Sequence, residues 1–180
     1  MSIELLGGRI LSPYFGSSVY VWGSIITVFM LSLSAGYLLG GRLSLFKPSI
    51  RRFAALFLVA GLLLYPLVHY GEAIMNLVFE HIEDPRYGSL TAALFMFLPP
   101  TIVLGMISPY SISLLVTDAK KSGSVAGYLY FISTLGSAIG TLLTSFYLVL
   151  WFDIDTILTG LTSILLACAV VAAALNWRET

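Results

Sequence analysis

Five long apolar runs, at about residues 19–41, 53–78, 90–117, 125–151 and 156–177, constrain this chain more than any motif in it. Each is long enough to cross a bilayer's hydrocarbon core, which takes about 20 mostly apolar residues as a helix. Inside that core no water satisfies the backbone, so the segments must bond internally, and unbroken apolar runs of this length do so as helices. The remainder of the sequence agrees. Of 180 residues, 58% are hydrophobic and 10% are charged, whereas a water-facing surface usually needs about 25% charged residues. The fold class expected is therefore an all-α membrane protein, a single transmembrane domain over 1–180.

A sixth apolar segment, 3–12, is only about ten residues long and ends at Pro13 and the Gly16-Ser17-Ser18 triplet. It is too short to span, and it reads as a truncated first helix ahead of the five full ones. No basic stretch precedes it, so no cleavable signal peptide is predicted. Seven of the nine basic residues (Arg42, Lys47, Arg51, Arg52, Lys120, Lys121 and Arg178) fall on one side of the predicted membrane. Glu80, Glu83, Asp84 and Arg86, then Asp153 and Asp155, occupy the other side. The excess of basic residues marks the cytoplasmic face, which puts the C-terminus inside the cell. The location expected is the plasma (inner) membrane of a prokaryote.

The zero formal net charge predicts no nucleic-acid partner. Cys168 is the only cysteine, so neither an intrachain disulfide nor a thiolate zinc site can form; within Leu165–Ala174 it is expected to pack as a small hydrophobe. The sequence shows no Ser/His/Asp set, metal cluster or phosphate loop, and no cofactor is expected.

Small residues mark expected helix contacts. Ser32, Gly36 and Gly40 recur every fourth residue on the first full span. Gly136 and Gly140 do so on the fourth, beside Ser133 and Ser137. Stripes of this kind let membrane helices approach closely. A weak internal echo accompanies them: Ser12-Pro13-Tyr14 recurs as Ser108-Pro109-Tyr110, each followed by a Gly-Ser pair and one of the glycine-striped helices. Counting the short segment as helix 1, helices 1–3 and 4–6 then form two units of opposite orientation, the inverted three-plus-three repeat of half a major facilitator bundle.

The run from Arg9 through Ser12-Pro13-Tyr14-Phe15-Gly16-Ser17-Ser18 to Trp22, the segment Gly36-Tyr37-Leu38-Leu39-Gly40-Gly41-Arg42-Leu43, Gly105-Met106-Ile107-Ser108-Pro109-Tyr110 and the stretch Gly127–Thr141 carry a resemblance. Together they resemble the membrane region of the spermidine-synthase-like membrane proteins, in which a half major-facilitator-like bundle is usually fused to an aminopropyltransferase-like domain. That resemblance covers nearly the whole chain. It departs from the family in two respects: the chain begins at about the middle of the family's first helix, and it contains no strand–loop–helix unit for the catalytic domain's cofactor. Gly7-Gly8 and Gly40-Gly41 lie in or beside apolar helices instead. What the resemblance implies is a six-helix half-bundle, with Glu4 and Arg9 on its inner side. Arg42, after Gly40-Gly41, is similar to the arginine that caps a helix end and latches the halves of major facilitator proteins.

Ionisable groups within a membrane domain are functional candidates by default. Glu4 and Arg9 head the set, for a paired or a solvated role. His69, Glu72 and Asn76 share one helix face at spacings of three and four; they are either a cation or proton site, or ordinary polar groups at headgroup level. Tyr110 and Tyr128 offer hydroxyls, the latter with Tyr130, Ser133 and Thr134, either lining a small polar pocket or bonding nearby backbone. Pro99-Pro100 and Pro109 are expected to break the hydrogen-bond ladder of the third full span.

Two functions are compatible with these features. One is a non-enzymatic membrane module like half a transporter, forming a homo-oligomer (a dimer) through the glycine faces of helices 2 and 5, or docking a partner, and moving a small solute. The other is the membrane subunit of a split aminopropyltransferase whose catalytic domain lies on a separate chain.

Overall fold

The structure, a computed structural model, describes residues 1–46, 48–116 and 122–177. Lys47, Lys120, Lys121 and Arg178, four of the residues used to orient the chain, lie outside the described residues. Among those described there are six helices and no strand: α1 (Ser2–Phe15), α2 (Val19–Ser44), α3 (Ile50–His81), α4 (Pro85–Leu115), α5 (Ser122–Trp151) and α6 (Ile154–Trp177). All but α1 are long and apolar enough to cross a membrane. The protein is thus built as a multi-pass helical membrane domain.

The ends are set by local chemistry. Ser49 caps α3, its Oγ accepting from the Arg52 backbone N–H at 3.3 Å. Asp84 caps α4, its Oδ1 accepting from the Arg86 N–H at 2.8 Å, with Pro85 in the first turn, where a missing N–H costs nothing. Gly16 takes φ +77° between α1 and α2, a backbone conformation open mainly to glycine.

The most intimate contact is between α2 and α4. Ser24 meets Ser89 at 3.1 Å between hydroxyls, the Phe29 and Phe97 rings lie 5.5 Å apart, and Gly36 faces Gly105. Sequence numbers rise together along both helices, so the two run parallel. A Cβ placed on Gly36 would sit inside contact distance of the Ile102 carbonyl oxygen and 2.8 Å from the Gly105 Cα. One placed on Gly40 would be 2.7 Å from the Met106 Cα and 2.9 Å from Pro109 Cγ. Backbone meets backbone here. The glycine stripe of α2 therefore packs within the chain, against α4, and does not present a face to a second copy as its spacing alone had suggested.

Helix α1 lies at the centre of the bundle, touching α2, α3, α4, α5 and α6, with Leu6 and Leu11 wholly buried. Gly7 and Gly8 allow this: an added Cβ would meet the Phe97 ring at 3.1 Å and Trp22 Cη2 at 2.6 Å respectively. Helix α3 packs along α6, where Gly61 accommodates Leu166. Helix α4 stays one continuous helix through Pro99, Pro100 and Pro109, so the expected break there does not occur. The prolines remove donors from the ladder, and packing on α2 and α3 holds the rod together.

Helix α5 differs from the rest. Only 6% of its apolar stretch is buried, against 28–39% for the other four spans, and no residue from Ser122 to Leu143 is buried. Its one buried side chain is Thr144, whose Oγ1 donates to Ser2 Oγ at 2.9 Å, while Ser2 Oγ bonds the Gly140 carbonyl at 3.3 Å.

These surroundings separate two glycines that look alike in sequence. Gly36→Ala forces backbone apart and is expected to destabilise the fold by about 1–3 kcal/mol, the usual cost of overpacking. Gly136→Ala enters open space within the chain and is expected to leave the single-chain fold intact or to stabilise it by up to about 1 kcal/mol, the helix preference of alanine over glycine. Reversible unfolding of both variants in mixed micelles measures the difference; equal stabilities would contradict the α2–α4 geometry.

Candidate functional site

The ionisable residues converge at one end of the bundle, around a cavity of about 660 Å³. Four segments wall it. Helix α1 supplies Arg9, Ile10, Pro13 and Tyr14; the middle of α3 supplies Leu67, Val68, His69, Glu72 and Met75. The end of α5 contributes Val149 and Phe152, and the turn into α6 brings Asp153, Ile154, Asp155 and Leu158. Leu67, Met75 and Leu158 are buried and form an apolar floor. Arg9, His69, Glu72, Asp153 and Asp155 are exposed and form a charged rim. A volume of this size lies within the range that holds a small organic ligand, about 300–1,000 Å³.

Arg9, His69 and Glu72, separated by up to 63 positions, thus share one site. Asp153 and Asp155 join them, although in the sequence these two serve only to orient the loops. The rim carries one guanidinium and three carboxylates, yet among the described residues none of these four side chains forms an ion pair or a side-chain hydrogen bond. They stand on separate elements around a space. His69 stacks on Tyr65 with ring centroids 4.1 Å apart, and its Nδ1 lies 3.3 Å from the Tyr65 carbonyl. No group of three metal-ligating side chains occurs among the described residues.

Irregular backbone surrounds the cavity. Pro13 sits inside α1 and has no N–H to give, so the Arg9 carbonyl loses its ordinary helical partner. Pro66 sits inside α3, one residue before the lining begins, and releases the Leu62 carbonyl in the same way. Within α5, Thr144–Leu148 form a π turn directly before Val149. A π turn inserts an extra residue and re-aims the side chains beyond it, and such bulges are frequent at functional sites. Helices α1 and α3 stay continuous through these prolines, as α4 does through its own.

The remaining candidates lie elsewhere. Glu4 is half-buried in the first turn of α1 and is not among the cavity residues. Tyr110 is fully buried at the opposite end of the bundle, stacked on Phe53 with centroids 6.3 Å apart. Its hydroxyl receives the Ser49 N–H at 2.9 Å and donates to the Ser49 carbonyl at 3.3 Å. It ties the start of α3 to α4, a structural duty. Tyr128, with Tyr130, Ser133 and Thr134, is exposed on α5, so this group lines no pocket within the chain. Gly136 has nothing within 4 Å of an added Cβ, and Gly140 meets Ser2 Oγ at 3.3 Å. Arg42 is exposed in the last turn of α2, where its charge complements the helix dipole. Cys168 is half-buried.

No family model matches the sequence, and searches of curated proteins and of solved structures each return no match.

The geometry predicts a pattern of chemical access. In a Cys168→Ser background, Glu72→Cys and Asp155→Cys are expected to react with a membrane-impermeant maleimide from the same side of intact vesicles. Arg42→Cys is expected to react only from the other side, and Tyr110→Cys from neither. Labelling of Glu72→Cys and Arg42→Cys from one side would overturn the placement of the cavity.

Proposed function

We propose that this chain is a non-enzymatic membrane module, equivalent to half a major-facilitator-type transporter, that takes a small solute into the chamber between α1, α3, α5 and α6. The observation that carries this reading is the chamber itself. It has a ligand-sized volume, an apolar floor and charges that stand unpaired around its rim, and a π turn precedes its α5 wall. Such π turns within helices are frequent at functional sites.

The order of the helices supports the comparison with a half-bundle. Helix α2 packs on α4 and α3 packs on α6, and α1 reaches α5 through Ser2. An exchange of helices 1–3 with helices 4–6 turns the α2–α4 pair into α5–α1 and leaves α3–α6 unchanged, in keeping with an inverted repeat, although the extensive α3–α4 contact has only a slight counterpart in α6–α1. The resemblance to the membrane half of spermidine-synthase-like proteins points the same way. In this reading the basic side of the bundle, with Arg42, faces the cytoplasm, and the chamber opens to the other side.

A half-bundle of this type completes its pathway by assembling, and α5 is the surface that remains for it. Its stripe of Ser133, Gly136 and Ser137 has the small side chains that helix association in lipid favours, and α2 offers no equivalent because α4 occupies its stripe. The expected assembly is a dimer through α5.

Both parts are measurable. Light scattering with correction for detergent is expected to give twice the 19.6 kDa chain mass for the wild type and the single-chain mass for Gly136→Leu. A monomeric wild type removes the α5 interface. Proteoliposomes are expected to pass small polar solutes faster than protein-free liposomes in an osmotic swelling assay. Swelling rates equal to those of empty liposomes would refute the solute-moving role.

A further inference from the structure

We infer that the chamber binds a small zwitterion with an apolar body, in which an ammonium and an anionic group are held close together on a short hydrocarbon chain. This rests on the solute-chamber reading above and specifies its ligand. Three features of the cavity select that chemistry.

The first is charge of both signs at one rim. Arg9 presents a guanidinium from α1, while Glu72 and Asp155 present carboxylates from α3 and α6 across the same space. Long, flexible side chains of opposite charge around one opening ordinarily gain by pairing, particularly near hydrocarbon, where charge interactions are less screened. Here no ion pair forms among them. A ligand with both charges satisfies both sides together, its anionic group on the planar guanidinium fork and its ammonium among the carboxylates.

The second is the one donor that Pro13 removes from α1. Pro13 leaves the Arg9 carbonyl without its i+4 donor, beside the guanidinium of the same residue. An ammonium has three hydrogens to place, and a peptide carbonyl without its helical partner is a natural acceptor for one that the carboxylates do not take. A simple anion would satisfy Arg9 and leave this carbonyl and three carboxylates unmatched. A simple amine would leave the guanidinium unmatched.

The third is the floor. Leu67, Met75 and Leu158 are all buried beneath the rim, so the deep part of the chamber rewards a hydrocarbon tail. A free amphipathic amino acid and an ethanolamine phospholipid headgroup share this chemistry, since each joins an ammonium and an anion to apolar carbon.

The test uses the full chain in nanodiscs of phosphatidylglycerol, which carry no zwitterionic lipid, titrated calorimetrically with four matched probes. Norleucine has both charges and a tail. Pentylamine lacks the carboxylate, hexanoate lacks the ammonium, and alanine keeps the charged pair without the tail. Norleucine is expected to bind at least about tenfold more tightly than each of the other three, since a charged hydrogen bond left unmade costs roughly that much. Arg9→Gln is expected to bring norleucine down to the level of pentylamine while pentylamine binding stays unchanged, which also serves as the folding control. Glu72→Gln combined with Asp155→Asn is expected to weaken norleucine and pentylamine and to spare hexanoate.

Glycerophosphoethanolamine separates the two sources. Like alanine it has no tail, so alanine is its comparator: if it binds more tightly than alanine, the site takes a lipid headgroup; if more weakly, a free amino acid. The inference is overturned if neither norleucine nor glycerophosphoethanolamine binds below ~1 mM, or if norleucine and pentylamine bind equally. With the maleimide pattern intact and swelling still above that of empty liposomes, such a result rejects only the ligand class. Loss of all three rejects the chamber as well.

Discussion

The contact on which the rest of this structure depends is the crossing of α2 and α4 at Gly36 and Gly105. In water, burial of apolar side chains would drive such an association, but between lipid-solvated helices that driving force is largely absent. Close backbone approach and dispersion take its place. The absence of a Cβ at Gly36, Gly40 and Gly105 lets the two rods meet carbonyl to Cα, and Ser24 and Ser89 satisfy each other further along. Once the pair is fixed, α3 has a surface to lie against, and α1 can sit in the centre with Gly7 on Phe97 and Gly8 on Trp22.

The chamber is a consequence of that arrangement. Helix α1 is central yet only 14 residues long, and it ends beside the turn between α5 and α6. Space remains where α3 continues past it, and the side chains bordering that space come from segments far apart in sequence. The same crowding that fixes α4 keeps its three interior prolines within one continuous helix. In α1, α3 and α5 the irregularities instead fall beside open volume, where a released carbonyl has somewhere to face.

The sequence disclosed the helices well because apolar run length is a one-dimensional property. The five spans begin and end within about five residues of their expected bounds. Its account of the contacts was less complete. Four-residue spacing of small side chains shows that a close approach is possible and does not identify the partner: Gly36 meets α4, and Gly136 meets nothing. The site was half legible. Arg9, His69 and Glu72 stood out as polar groups in apolar surroundings, but their convergence needed the topology. Asp153 and Asp155 looked like ordinary loop charges. The signal that would have found them is their position directly after the fourth full span, on the side to which α1 and α3 also lead. Pro99-Pro100 attracted attention as a doublet, whereas the isolated Pro13 and Pro66 are the ones beside the cavity.

The bareness of α5 has a mechanical consequence. A helix whose one buried side chain is Thr144, bonded to Ser2, is held to the bundle by few side chains. From Gly123 to Leu143 it buries no side chain, so a tilt of this stretch gives up few protein contacts. Regions with so few buried contacts open at the low end of the free-energy range within a structure, so within a single copy this rod is the element that tilts most readily. The π turn at Thr144–Leu148 lies between that stretch and the cavity residues Val149 and Phe152. Whatever tilts the distal portion, bilayer thickness included, is therefore transmitted to the chamber wall.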